Sequence, residues 1–225
     1  MEFNPADHFS LICFALILLA VLGSILATVH FVDSKKTLPL AIGIAVWLGA
    51  LSFIVASGFI EAAPMPRLVI FMALINIVSA VLGFSSIGKS LALGIPLSLL
   101  VGFQSFRLPL ELVLHSWANQ GTIPMTMTWS GANFDIVSGV VALLAAPFAG
   151  KNQALAWIAN IVGFVLLINV MRVAVLSSPL PFAWAVTPTL QLGFHLPYAL
   201  IVPICVGGAL FGHIVLTRAL LTSSS

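Results

Sequence analysis

The chain has 225 residues, of which 61% are hydrophobic and only 6% charged, with eight Lys or Arg against six Asp or Glu and a formal net charge of +2. Soluble domains carry about a quarter charged residues, so this composition excludes a water-soluble globule, and it offers no basic surface for nucleic acid. The chain belongs in a lipid bilayer.

A spanning helix needs about 20 predominantly apolar residues, because lipid gives backbone groups no hydrogen-bond partners. Seven stretches qualify: 9–31, 38–60, 67–85, 90–115, 132–149, 153–176 and 194–217. With no connector longer than about 18 residues there is no room for a soluble domain, so residues 1–225 are expected to form a single polytopic domain. The fold class is an all-α membrane protein, a bundle of about seven transmembrane helices.

The first stretch follows "MEFNPADH", which is acidic rather than basic, and it is longer than the apolar part of a cleavable signal; it reads as a mature helix. Cys13 in this stretch and Cys205 in the last have no CxxC or Cys/His spacing and read as small apolar packers. Lys35 and Lys36 follow the first stretch, Lys89 the third, Lys151 the fifth and Arg218 the seventh, all on one side of the membrane. Glu2, Asp7, Glu61 and Arg67 fall on the other, so the positive-inside rule places the N-terminus outside and the C-terminus in the cytoplasm.

The fourth stretch ends in "FRLPLELVLHSW" (106–117), which sets Arg107, Glu111 and His115 at i, i+4 and i+8 along one broad stripe of its outer half. Pro109 removes a donor between them and leaves the carbonyl of Ser105 without its i+4 partner. The connector "TIPMTMTW" (122–129) is apolar and suits a position folded on the bundle; its Met125 and Met127 read as packing rather than as ligands for a soft metal. Asn133 and Asp135 open the fifth stretch, Asn169 and Arg172 close the sixth, and His195 opens the seventh, after a second apolar connector, "SSPLPFAWAVTP" (177–188). Pro197 and Pro203 interrupt the last stretch, and "GALFG" (208–212) in it is a GxxxG spacing that permits close helix approach.

By topology these polar residues lie at one level, so Arg107, Glu111, His115, Asn133, Asp135, Asn169, Arg172 and His195 form a candidate ligand-binding cluster in the outer half, lidded by the two connectors. The inner half holds only His30, His213 and Asn160. Set against this is a plainer reading in which Arg107 and Glu111 neutralise one another as an i, i+4 pair, Asp135 sits in the first turn of its helix, Arg172 snorkels to the interface and the histidines are interfacial.

The cluster suits binding or translocation of a small polar or anionic ligand or of protons, with Arg107 or Arg172 holding an anionic group. The alternatives are a non-catalytic subunit or assembly factor of a larger membrane complex, or a membrane-embedded enzyme facing the outside through Glu111, His115, Asp135 and His195. No cofactor is expected. Retinal is rejected because no lysine lies inside the last stretch, no tight metal signature exists, and the pairs His115/His195 and His30/His213 would suffice for haem only as a remote alternative. The expected partners are the bilayer and, further, other membrane subunits or a second copy of the chain, with no nucleic acid.

At "FRLPLELVLH", "GANFDIVSG" and "SSPLPF", from Phe106 onward, the chain resembles a group of uncharacterised bacterial multi-pass membrane proteins. The resemblance implies a bacterial cytoplasmic membrane and no particular activity.

Overall fold

The computed structural model describes residues 3–222, and among them the regular structure is helical, without strands. Helix α1 (His8–Val32) starts where the Asp7 carboxylate accepts from the Ser10 backbone N–H at 2.9 Å. It stops at Asp33, which leaves the helical conformation and at once caps α2 (Ser34–Ala56) by accepting from Lys35 N–H. One residue thus ends one helix and begins the next, which fixes α1 and α2 as neighbours. Glu61 lies in the turns before α3 (Pro64–Phe84).

Six helical segments among the described residues are long and apolar enough to cross a membrane. Five agree in position with expected stretches, and α8 (Gln153–Ser177) matches most closely. The fourth differs at its start. Residues 86–94 form a separate short helix, α4 (Ser86–Gly94), ended by Ile95, whose extended backbone is what a following proline imposes. The crossing segment runs Leu97–Asn119 instead of 90–115, as α5 (Leu97–Phe103), a tightened 3-10 turn at Gln104–Phe106 and α6 (Arg107–Asn119). The fifth stretch gives a helix only from Ile136, because 132–135 is a turn; α7 (Ile136–Ala149) has 14 residues and is about 21 Å long at 1.5 Å per residue.

The last segment begins irregularly, with 3-10 turns at Leu192–Phe194 and Tyr198–Leu200 and a π-helical stretch Ile201–Val206 around Pro203, and continues as α9 (Gly207–Thr222). A proline has no N–H to give the ladder, and the wider π turn is a way to carry it without ending the helix. This segment is the axis of the bundle: α9 packs against α3, α4, α5 and α8. Gly207 lets it approach Ser79 of α3, where a Cβ would stand 2.6 Å from the serine hydroxyl. The outward faces carry exposed Phe9, Phe31, Phe53 and Phe84, as expected where lipid is the solvent.

Candidate functional site

Two glycines bring the polar side chains together. A Cβ on Gly139 of α7 would run into the backbone of Leu108, so only glycine allows the start of α7 to lie directly on α6. A Cβ on Gly163 of α8 would meet His213 Cε1 at 2.6 Å and Arg107 Nη1 at 3.3 Å; its absence leaves room for both side chains and opens the Gly163 carbonyl to Arg107.

Arg107 is 1% exposed and sits at this crossing. Its Nε donates to Asp135 Oδ2 at 2.7 Å and its Nη2 to Asp135 Oδ1, a bidentate ion pair. Its Nη1 donates to the Gly163 carbonyl at 2.8 Å and meets His213 Nε2 at 3.2 Å. Guanidinium only donates, so His213 Nε2 accepts and the proton of the neutral ring is on Nδ1, which donates to Asn160 Oδ1 at 2.8 Å. Asn160 Nδ2 passes the chain to Thr217 Oγ1 at 2.7 Å, and that hydroxyl closes it on the His213 carbonyl. Four of the five guanidinium N–H groups are therefore matched by acceptors from α7, α8 and α9.

Arg107 and Glu111 do not pair, which corrects the i, i+4 expectation. In a helix each Cα–Cβ bond leans toward the N-terminus, and Arg107 is the first residue of α6, so its side chain reaches away from Glu111 toward His213. Glu111, also 1% exposed, instead accepts from Asn133 Nδ2 at 2.8 Å through Oε1, while its Oε2 is buried without a partner. Asn133 is the hinge of the site: the same Nδ2 donates to the Met127 carbonyl, and its Oδ1 accepts from the Asp135 backbone N–H. Asp135 caps none of its own helix N–H groups with its side chain; besides Arg107 it accepts from Ser138 Oγ at 3.1 Å.

The other expected members stand apart from this network. Asn169 donates to the Ala132 carbonyl and accepts from Arg172, which is exposed and faces the Trp184 ring at 5.9 Å. His115 stacks on Trp129 with ring centroids 4.1 Å apart, and its Nδ1 has no partner. His195 stacks on Phe3 at 4.0 Å with Nε2 unpartnered. Asn160, Gly163, Ser138 and His213 complete the network although the sequence reading left them out, the first and last having been assigned to the inner half.

Beside the network lies a cavity of about 80 Å³. Glu111, Arg107 and Asp135 form one part of its wall; the rest is almost wholly apolar, from Leu68 and Met72 of α3, Leu110 and Leu114 of α6, Leu167 and Ala174 of α8, and the strip from Leu190 to Ala209. Both apolar connectors fold against the bundle here: Met127 and Ser178 are in the wall, and Thr126 Oγ1 and Ser177 Oγ share a hydrogen bond of 2.7 Å. Met125 spends its sulfur on the Thr128 hydroxyl, at 3.3 Å. Among the described residues no three His, Cys, Asp or Glu stand together as a metal site.

The family model described as Domain of unknown function (DUF8737) matches residues 64–221, and the chain belongs to that family. The matched region contains every residue of the Arg107 network and of the cavity wall, and leaves out α1 and α2. No curated protein and no solved structure matches the chain.

Proposed function

We propose that this DUF8737 protein is a ligand-binding protein of a bacterial cytoplasmic membrane, with the N-terminus outside, the C-terminus in the cytoplasm, and all seven hydrophobic stretches embedded. Support for the orientation comes from helix order: Lys35, Lys36, Lys89, Lys151 and Arg218 fall at one end of the bundle, and the connectors 120–135 and 178–197 at the other. The cavity lies toward the second end, between the start of α3, the first two turns of α6 and the last turns of α8.

The observation that carries the binding reading is Glu111 Oε2, a buried carboxyl oxygen with no partner in the wall of an otherwise apolar cavity. Leaving such a group unmatched costs about 1 to 3 kcal/mol or more, which an incoming ligand can recover. The Arg107–Asp135 pair reads differently. Its charges cancel and four of its five N–H groups are taken by protein, so it holds α6, α7, α8 and α9 in register and supplies the rigid wall against which a ligand rests. An anion held by Arg107 fits this geometry less well than an apolar molecule in the cavity. That same pairing favours, as a second reading, a structural subunit of a larger membrane assembly.

The test is uptake of a small apolar probe. Protein in nanodiscs should bind 1-iodohexane, read as a saturable rise in Tm, and Ala174→Leu, which places extra carbons in the cavity from a half-buried position, should abolish that rise. Equal responses from both proteins would defeat the cavity as a binding site.

A further inference from the structure

We infer that the ligand of this cavity is an amphiphile with a cationic amine head and a short apolar body, the amine meeting Glu111; the inference rests on the binding reading above. Three observations on charge and donor supply lead to it. The cluster contains two carboxyl groups and one guanidinium, and Asp135 already matches Arg107 in a two-point pair. In its ionised form Glu111 is the excess charge, held by one amide donor from Asn133 and no cation. The Asn133 amide is itself shared with the Met127 carbonyl, so it has no second proton to bring to Oε2.

A ligand completes the site of ionised Glu111 by bringing a donor, and a positively charged one restores neutrality in place of the proton that a buried carboxyl otherwise keeps. A carboxylate or phosphate head would do the reverse and put a second anion against Glu111 and Asp135. The remaining wall gives a head group little else. Ser178 is a polar member, and its hydroxyl is donated to the Ala174 carbonyl at 2.8 Å. The body of the ligand must then be apolar, because Leu110, Leu114, Leu167, Leu190 and Leu192 offer it neither donors nor acceptors. A cavity of about 80 Å³ holds a short chain or the end of a longer one.

The experiment compares n-hexylamine, n-hexanoate and 1-iodohexane on the full chain in nanodiscs near neutral pH. Hexylamine should bind at least about tenfold more tightly than hexanoate, the usual reach of a charge-assisted hydrogen bond in a dry site. Glu111→Gln should lose that preference while still taking up iodohexane, which also reports that the variant is folded. Hexanoate binding as well as hexylamine, or an amine preference surviving Glu111→Gln, overturns the inference. The failures separate cleanly: iodohexane bound without amine preference sinks the head-group class alone, whereas no probe bound at all sinks the binding reading beneath it. Should Glu111→Gln not fold, the amine-to-carboxylate ratio on the unaltered protein still decides.

Discussion

At the level of single residues, two carboxyl groups in the wall of one cavity differ in their partners. Asp135 is paired with Arg107, whereas Glu111 keeps an unpartnered oxygen and lines the cavity. Replacing Arg107 or Asp135 alone leaves a buried, uncompensated charge and should destabilise by about 3 to 5 kcal/mol, whereas Arg107→Met with Asp135→Leu should restore most of the loss. Unfolding of the four proteins in one detergent measures this, and additive losses in the double variant would contradict the pairing. Gly163→Ala should destabilise by about 1 to 3 kcal/mol, because its Cβ at 2.6 Å from His213 Cε1 pushes against the ring that Arg107 and Asn160 hold on both sides. A variant as stable as the parent would show that the close approach is not required.

The residue scale is also where the sequence was least legible. Spacing placed Arg107 and Glu111 on one stripe, and that was sound; it could not say that the arginine leans a turn toward the other end of the bundle and takes His213 as a neighbour. Asn160 and His213 were visible as lone polar residues in apolar runs, the signal that would have found them. Depth counted from Cα positions set them aside, because it ignores the length of an arginine side chain.

At the level of elements, prolines and caps decide the boundaries. Pro96 divides α4 from α5, and the effect of a proline on the residue before it was there to be read in the sequence. The length of α7 was not legible, because Asn133 and Asp135 look like an N-terminal turn while their side chains are spent on Glu111 and Arg107. The α1–α2 corner makes its own prediction. The Lys36 side chain, foremost among its partners, holds the Asp33 carboxyl below its ordinary value of 3.8, with the Lys35 backbone N–H assisting. A carboxyl depressed on folding stabilises the fold above its unfolded pKa and loses that contribution as pH falls through the lower, folded one. The Tm difference between the parent and Asp33→Asn should therefore be largest at neutral pH and shrink below about pH 4, where the parent's carboxyl becomes protonated. A difference that grows on acidification would contradict the cap.

At the level of the whole molecule, composition alone made the bilayer and the all-helical bundle legible, because 61% hydrophobic residues leave no other solvent. The central place of the last segment was not, since α9 and α2 are similarly apolar in sequence and differ only in what packs on them. The proposed topology predicts that cysteines substituted at Lys35, Lys89 and Lys151 resist a membrane-impermeant thiol reagent applied to intact cells, while one at the exposed Ser130 reacts. Labelling at Lys89 from outside would reverse the orientation and, with it, the side of the membrane toward which the cavity lies.

The relation between the Arg107–Asp135 pair and the unsatisfied Glu111 carboxyl is tested most directly by an anomalous-scattering map from crystals grown with 6-iodohexan-1-amine. The account predicts an iodine peak inside the cavity among Leu110, Leu190 and Leu192, the amine nitrogen within hydrogen-bond distance of Glu111 Oε2, and Arg107 still paired with Asp135. An empty cavity, or an amine seated on Asp135 with Arg107 displaced, would contradict it.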